Sequence, residues 1–167
     1  MNKETSAVRD IILNQYPNFK DMSSIDIGFG GDKFLPNSIG ADLPTPYGVY
    51  TGYKVDIPCN VLEGVPVEDK SYDIVYSSHL IEDFVDTKKI LDEFVRIAKN
   101  YIVLVFPDQI RYEQQCRVNG SIPNGSHKIK NMGLDYMEKI MSTYSNLEIE
   151  YRKFVAPYNC IIIAKVK

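Results

Sequence analysis

The most constraining segment of this chain is the almost wholly apolar run Tyr101–Phe106, which Pro107 ends. Strands in the middle of a parallel sheet are covered on both faces, so their sequences are continuously apolar instead of alternating. The run therefore predicts a central strand in a sheet that helices cover on both sides, which is an α/β fold.

Four shorter segments before this run have strand-like patterns. They are Ser24–Ile27, Ser38–Ala41, Tyr53–Val55 and Tyr72–Ser77. An N-terminal helix is expected to begin at Thr5 or Ser6 and to end before Pro17. Asp86 is the expected N-cap of a helix after the fourth strand, where Asp92 and Arg96 have i,i+4 spacing for an ion pair. Strands and helices thus alternate along the chain.

The C-terminal part predicts a hairpin. After a helix that carries Leu134, Met137 and Ile140, the segment Leu147–Val155 alternates between apolar and polar residues, and Cys160–Val166 follows after four residues. Only antiparallel strands are joined by so short a turn. The fold class is therefore α/β, a Rossmann-like and mostly parallel sheet with a C-terminal antiparallel hairpin.

Chain length is that of one domain, residues 1–167, because domains of roughly 100–200 residues are usual. Residues 109–132 show no convincing period, and long connections without structure in compact domains are typically lids or binding loops. We therefore expect a lid or substrate loop there.

Composition excludes several classes of function. The net charge of −3 and the pI of about 5.4 predict no general attraction to nucleic acid or to an anionic membrane. Three widely spaced cysteines without a CxxC motif favour neither a zinc site nor a disulfide framework, so no metal is expected. The polar N-terminus is unlike a signal peptide, and no apolar run approaches the ~18 residues of a membrane span. A reducing, cytoplasmic location is expected.

The first predicted strand runs into the glycine loop, Asp26–Gly31, where glycines allow a sharp turn and close approach of a ligand. A dinucleotide fingerprint would require glycine at position 33, where Lys33 stands, and a helix that Pro36 leaves no room for. Asp26 and Asp32 would repel phosphates. A nicotinamide oxidoreductase would also have a fully parallel sheet end, so the hairpin disfavours this class.

Acidic flanks suit S-adenosylmethionine (SAM), which carries an ammonium and a sulfonium and no phosphate. Asp42, after the second predicted strand, is placed to accept hydrogen bonds from both ribose hydroxyls. Asp56, after the third, can accept one from the adenine amino group while Ile57 packs on the ring. Ser78 and His79 end the fourth strand at the same edge, where open α/β sheets bind their ligands.

These segments together resemble the class I SAM-dependent methyltransferases, over roughly residues 22 to 108. The resemblance is greatest to compact members in which a Lys-x-x-Pro stretch, here Lys33-Phe34-Leu35-Pro36, replaces the first crossover helix. It implies a truncated first crossover, with Gly28 and Gly30 at the methionine moiety. Many relatives have Ser-His-x-x-Glu-His after the fourth strand, whereas Asp83 stands in the last place here.

The predicted SAM-binding residues are Asp26, Gly28, Phe29, Gly30, Asp42, Leu43, Asp56, Ile57 and Ser78. His79 and His127 are the candidate catalytic bases for a hydroxyl acceptor. The acceptor is expected to be a small molecule or a sugar or glycan precursor. Four cations in the predicted loop form either a solvated charge cluster or a surface that receives an anionic acceptor: Arg111, Arg117, Lys128 and Lys130. The alternative is a non-catalytic SAM-binding module with a regulatory or partner-binding role.

Overall fold

The computed structural model describes residues 3–44 and 54–167, which form one seven-stranded sheet with helices on both faces. The strands, numbered in chain order, are β1 Ser24–Ile27, β2 Ile39–Asp42, β3 Ile57–Pro58, β4 Tyr72–Ser78, β5 Ala98–Pro107, β6 Leu147–Val155 and β7 Asn159–Val166. The α-helices are α1 Lys3–Gln15, α2 Thr87–Ile97, α3 Gln109–Asn119 and α4 Leu134–Met141.

Strand order across the sheet is β3-β2-β1-β4-β5-β7-β6. The pairs among β1 to β5 are parallel, while β7 lies antiparallel between β5 and β6. This is the mostly parallel, Rossmann-like sheet with a C-terminal hairpin that the sequence predicts. From β1 the sheet extends on one side through β2 and β3, and on the other side through β4 and β5. Open α/β sheets bind their ligands at such a change in strand order, here between β1 and β4.

Two apolar clusters cover the two faces. On one face, α2 and α4 bury side chains such as Phe94 and Met137 against Ile25, Val75 and Ile102. On the other face, α1 packs against the alternate strand residues through Val8 and Ile12. Successive strand residues point to opposite faces, so the central strands must be apolar at every position, as the run in β5 is.

The shortened first crossover has a clear replacement. Between β1 and β2 the chain has no α-helix, and Phe34 and Leu35 enter the α1-side core instead. The Phe34 ring stacks on the buried Tyr76 ring, with 4.2 Å between centroids and 9° between planes. These apolar side chains occupy the place on the sheet that a crossover helix would cover.

Several predicted elements have the expected bounds or nearly so. β1 and β6 match, and Asp86 caps α2 by accepting a hydrogen bond from the Lys89 N–H. The predicted Asp92–Arg96 ion pair is wrong, because Asp92 pairs with Lys88 instead, and Arg96 binds Glu93 and Asp69. The prediction that Thr5 or Ser6 caps α1 is wrong, because the helix begins at Lys3 and both residues lie within it.

The third strand is displaced from its predicted place. The sequence predicts a strand at Tyr53–Val55, of which Tyr53 lies outside the described residues. In the structure the strand residues are Ile57 and Pro58, which pair with Ala41 and Asp42. Asp56 therefore precedes β3 instead of ending it. A two-residue edge strand leaves almost no periodic pattern, so its position depends on pairing with β2.

The expectation of an irregular segment at 109–132 is also wrong in its first half. α3 occupies Gln109–Asn119, and the irregular part begins at Gly120. Asp108 caps the helix by accepting from the Arg111 N–H, and Gly120 ends it in the left-handed region at φ 67°. Within α3 the buried residues are Gln109 and Cys116, which is why no helical period is visible.

Candidate active site

The candidate site lies along the carboxyl edge of the sheet, around the point between β1 and β4. The glycine loop follows β1, Asp42 ends β2, and Ser78 and His79 follow from β4. Asn159, the first residue of antiparallel β7, lies at the same edge because it pairs with Pro107 at the end of β5. Three of the segments that the sequence predicts at one edge, namely the glycine loop, Asp42 and Ser78 with His79, are thus brought together, and Asn159 joins them.

The glycine loop uses positive φ angles at Gly28, Gly30 and Gly31, of 73°, 55° and 95°. Non-glycine residues rarely adopt this region. A Cβ on Gly28 would lie 2.7 Å from the Leu80 side chain, whereas a Cβ on Gly30 would meet no atom within 4 Å. The loop is therefore closed by Leu80 at Gly28 and open at Gly30, where a ligand can approach the backbone.

Substitution Gly28→Ala is expected to destabilise the fold by about 2 to 4 kcal/mol, from left-handed strain and overpacking together. Urea unfolding of the variant, and of Gly28→Ala combined with Leu80→Ala, measures the two contributions. The second substitution should relieve the steric part relative to Leu80→Ala alone, and the strain should remain. Equal penalties in both backgrounds would contradict the Leu80 contact as a cause.

Asp42 joins the glycine loop to the end of β2. One carboxylate oxygen accepts a hydrogen bond from the Gly30 N–H at 3.1 Å, and the other accepts from the Leu43 N–H at 2.7 Å. A carboxylate has about four acceptor sites, so both oxygens keep capacity for further donors such as ribose hydroxyls. Leu43 is 47% exposed next to it, so its side chain is accessible at the edge of the site.

Asp56 precedes β3 and lies beside Gly40, two residues before Asp42 at the end of β2. Its carboxylate accepts from the Gly40 N–H at 2.8 Å and pairs with the Lys33 ammonium. The hydrogen bond from Lys33, followed by that from Gly40, lowers the pKa of Asp56. Ile57 is half-buried against the core. The lysine of the Lys-x-x-Pro stretch is therefore held by the same aspartate that the sequence predicts at adenine.

Asp26 is buried beneath the glycine loop. One carboxylate oxygen accepts from the Phe34 N–H at 2.7 Å, while the other has no hydrogen-bond partner among the described residues. Burial raises the pKa of Asp26 to about 8, an effect that the Phe34 hydrogen bond partly offsets. The carboxyl group thus holds the loop and stays protonated up to about pH 8.

The raised pKa of Asp26 predicts a pH-dependent stability. The native state retains this proton up to about pH 8, whereas the unfolded chain releases it near pH 4, so the group lowers stability as pH rises between these values. Asp26→Asn should therefore lose less stability than the original chain from pH 5 to pH 8.5 in urea unfolding. Identical slopes would contradict a buried, protonated Asp26.

The remaining predicted cofactor residues differ in what they offer. Phe29 is buried, and its ring covers Gly40, where an added Cβ would lie 2.9 Å from the ring. Its side chain is therefore engaged in packing, and its backbone carbonyl accepts from the Asp32 N–H. Ser78 is half-buried at the end of β4, and the neighbouring Ser77 hydroxyl donates to the Ile27 carbonyl.

The two candidate bases, distant in sequence, lie on either side of Glu82. The His79 Nδ1 atom is 3.3 Å from Glu82 Oε1, and the His127 Nε2 atom is 3.8 Å from the same oxygen. Each ring also contacts an amide oxygen. The His79 Nε2 atom lies 2.9 Å from the Asn159 side-chain oxygen, and the His127 Nδ1 atom lies 2.8 Å from the Gln109 side-chain oxygen. His79 is 37% exposed, whereas His127 is buried.

His79 also has an uncommon backbone conformation, with φ 52°. Residues other than glycine that hold this conformation cluster at functional sites, where the surrounding structure imposes the strain. Here the His79 N–H donates to the Val105 carbonyl on β5. The strain places the imidazole at the sheet edge beside Asn159.

Residues 126–129 are attached to the short 3-10 helix Ile81–Asp83 after β4. The Lys128 N–H donates to the Glu82 carbonyl at 2.8 Å, and the Ser126 hydroxyl donates to Asp83 at 2.6 Å. Burial raises the pKa of Asp83, and the hydrogen bond from Ser126 partly offsets this effect. Asp83, which stands where relatives have histidine, thus holds the segment that brings His127 to Glu82.

Three residues of this cluster were outside the predicted site: Glu82, Gln109 and Asn159. Glu82 belongs to the Ser-His-x-x-Glu pattern, so a signal for it exists in the sequence. Gln109 and Asn159 carry no such signal, because each lies far along the chain from its partner. Asn159 is 80 positions from His79, and Gln109 is 18 positions from His127.

The four cations of the predicted loop are partly neutralised. Arg111 lies over the Phe154 ring and 3.9 Å from Asp108, and Lys130 is 3.8 Å from Glu113. Lys128 contacts the Gly125 carbonyl. Arg117 is exposed in the last turn of α3.

Within residues 3–44 and 54–167, no group of three or more His, Cys, Asp or Glu side chains is arranged to hold a metal ion. The cysteines at 59, 116 and 160 are all free thiols. Over the same part of the chain, no helix has the length and apolar character needed to span a bilayer.

Comparison with known proteins agrees with this geometry. Residues 45–106 match a family model described as a methyltransferase domain. Among solved structures, the PH0226 protein from Pyrococcus horikoshii has 17% identity and a TM-score of 0.69, with 99% of this chain and 93% of that chain covered. No curated protein matches the chain in sequence.

Two further structures have 13% identity. The magnesium protoporphyrin IX methyltransferase ChlM from Synechocystis, solved with bound SAH, has a TM-score of 0.68 and covers 99% of this chain and 83% of its own. A SAM-dependent methyltransferase from Aquifex aeolicus has a TM-score of 0.66, with coverage of 95% and 89%. At these identities the likeness shows a shared fold.

Fold and sheet edge define a Rossmann-like protein of the class I methyltransferase type. Residues 45–106 are similar to a methyltransferase domain, and the chain has the fold of the SAM-dependent methyltransferases compared above.

Proposed function

We propose that this protein transfers the methyl group of SAM to a hydroxyl group on a small polar acceptor of the sugar or glycan-precursor type. The observation that carries the proposal is the common edge at which Gly30, Asp42 and His79 meet. SAM and a hydroxyl acceptor require three kinds of group, and this edge offers all three. They are an accessible glycine backbone, a carboxylate with spare acceptor sites and an imidazole.

In this proposal the methionine part of SAM lies along the glycine loop at Gly28 and Gly30, above the buried Asp26. Asp42 accepts from the ribose hydroxyls beside Leu43, and Asp56, Ile57, Phe29 and Ser78 shape the remainder of the pocket. Methyl transfer from a sulfonium requires mainly that donor and acceptor are held in line. A hydroxyl acceptor additionally benefits from a base, and His79 is the exposed candidate.

The polar environment of His79 supports a polar acceptor. Asn159 contacts the imidazole, and Tyr158 lies beside it with 6.5 Å between the ring centroids. Arg117 adds an exposed cation on α3, whereas the other three cations have partners within their own segment. An uncharged or singly anionic sugar therefore suits the site better than a polyanion.

Calorimetry with SAM and S-adenosylhomocysteine tests the cofactor part. The absence of binding to both would overturn it. Methyl transfer is then measured with labelled SAM against UDP-glucose, glucose 1-phosphate, glucose and catechol, with Asp42→Ala as the blank. Transfer to a sugar is the expected result, and transfer to catechol alone would contradict the glycan-type acceptor.

A non-catalytic SAM-binding module is the second candidate. It is favoured by one observation, that both ring nitrogens of His79 are engaged, one with Asn159 and one with Glu82. Binding of SAM without transfer to any compound of the panel would favour this function.

A further inference from the structure

A groove of about 430 Å³ lies between α1 and the residues that replace the first crossover helix. Its apolar lining consists of Leu13 on α1 and of Phe34, Leu35 and Pro36. Small-molecule sites are concave, mostly apolar and about 300–1,000 Å³ in volume, so the groove has the size of a site for a small ligand. None of its lining residues belongs to the predicted SAM-binding set or to the candidate bases. The groove is therefore a separate place on the molecule.

The polar part of the lining is positively charged. It consists of Arg9 on α1, Lys20 shortly before β1, and the amide of Asn37. Among the described residues no carboxylate lines the groove, although Asp10 and Asp21 are neighbours of the two cations in sequence. On a chain with a net charge of −3, this local positive charge attracts an anion to one place.

Arg9 is held in one orientation by the end of the glycine loop. Its Nη2 atom donates to both carboxylate oxygens of Asp32, at 3.2 Å and 3.3 Å, and its side chain is only 17% exposed. Its Nε and Nη1 atoms make no hydrogen bond to the described residues. A guanidinium carries five N–H donors in a planar fork, so Arg9 keeps donors for a second acceptor. Because its orientation is already fixed, it loses little conformational freedom when it binds one.

Charge in and beside the groove sets the charge of the ligand. Lys20 is exposed and has no ion-pair partner among the residues that the structure describes. Arg9 and Lys20 contribute two positive charges, and Asp32 offsets one of them. The remaining charge of +1 matches a ligand with a single negative charge and leaves a dianion such as phosphate incompletely neutralised.

We propose that this groove binds a small amphipathic carboxylate. The carboxylate lies between Arg9 and Lys20, where the planar fork of a guanidinium matches the two oxygens of a carboxylate. The apolar part of the ligand lies along Leu13 and Pro36, over the buried Phe34. This binding site goes beyond the proposed methyl transfer and does not depend on it.

Titration with octanoate, followed by ¹H–¹⁵N NMR, tests the site. The backbone signals of Leu13 and Lys20, the side-chain amide of Asn37 and the Arg9 Nε–H signal should shift together. A dissociation constant of about 0.1–1 mM is expected for a ligand with so few atoms. The absence of shifts at these residues, or shifts confined to the edge that carries Gly30 and Asp42, would overturn the proposal.

Three further probes separate charge from apolar contact. Acetate has the charge without the tail, and octylammonium has the tail with the opposite charge, so both should bind at least 10-fold more weakly than octanoate. Equal binding of either probe would overturn the amphipathic anion as the ligand class. Octyl phosphate carries more negative charge at pH 7.5, and its tighter binding would overturn the assignment to a singly charged carboxylate.

Variants identify the two cations as the cause. Arg9→Gln should weaken octanoate binding by about 10-fold or more, and Lys20→Gln by about 3-fold, because a fixed guanidinium contributes more than an exposed ammonium. Lys153→Gln, which removes an exposed cation on β6, is the matched control and should change nothing. If Arg9→Gln does not fold because Asp32 loses its partner, Lys20→Gln still decides, since Lys20 has no partner to lose. Full affinity in Lys20→Gln would overturn the proposal.

A titration with octanoate in the presence of S-adenosylhomocysteine tests whether the groove is separate from the predicted cofactor edge. Octanoate should still bind, with the same residues shifted. Displacement of octanoate by S-adenosylhomocysteine would overturn the proposal, because the two ligands would then share a site. Failure of the chain to bind S-adenosylhomocysteine would overturn the proposed function and leave the groove unaffected, so the two failures are distinguishable.

Discussion

Asp42→Ala is expected to weaken SAM binding by about 2 to 3 kcal/mol, roughly 30- to 150-fold in the dissociation constant. Two causes add. The ribose hydroxyls lose a charged acceptor, and the Gly30 and Leu43 N–H groups lose the carboxylate that arranges the loop for the ligand. Isothermal calorimetry with S-adenosylhomocysteine measures the change.

Two further variants make this result specific. Asp42→Asn retains an acceptor oxygen and similar size, so its affinity should fall between those of the original chain and of the alanine variant. Asp135→Ala removes a 95% exposed carboxylate that pairs with Arg152 on the hairpin, and it should leave affinity unchanged. Full affinity in Asp42→Ala would place the cofactor elsewhere.

Phe34→Ala is expected to destabilise the fold by about 3 to 5 kcal/mol, the range for large-to-small changes at a buried phenylalanine. In a domain of this length that corresponds to roughly 6 to 20 °C in Tm. Phe34 is 1% exposed and stacks on Tyr76, where no crossover helix covers the sheet. Thermal unfolding followed by circular dichroism measures the effect.

Phe154→Ala is a suitable control, because this phenylalanine on β6 is only half-buried and should cost clearly less. The loss in Phe34→Ala should exceed it by at least 1 kcal/mol. Similar losses would contradict the view that Phe34 and Leu35 replace the missing helix in covering the sheet.

Strong local patterns predicted elements well. The apolar run of β5 and the alternation of β6 gave the centre and the edge of the sheet, and the cap at Asp86 gave the start of α2. These signals are visible because burial on one or two faces selects residue type with a regular period. The hairpin followed from the length of its turn.

Weakly patterned elements were missed or misplaced for a common reason. α3 buries few side chains and depends on its caps at Asp108 and Gly120, so it has no apolar period. β3 has two residues at the edge of the sheet, and its position follows from pairing with β2. In both cases the contacts that stabilise the element leave no repeated pattern of apolar residues in its own sequence.

The glycine loop, Asp42 and the ends of the strands could be placed along one edge from sequence, because the carboxyl ends of parallel strands must meet there. The Glu82 cluster required the folded chain. Its histidines are 48 positions apart by their numbers, 79 and 127, and backbone hydrogen bonds from residues 128 and 129 to Glu82 bring them together. Contacts of this kind are selected by shape and polarity in three dimensions, and a linear pattern does not record them.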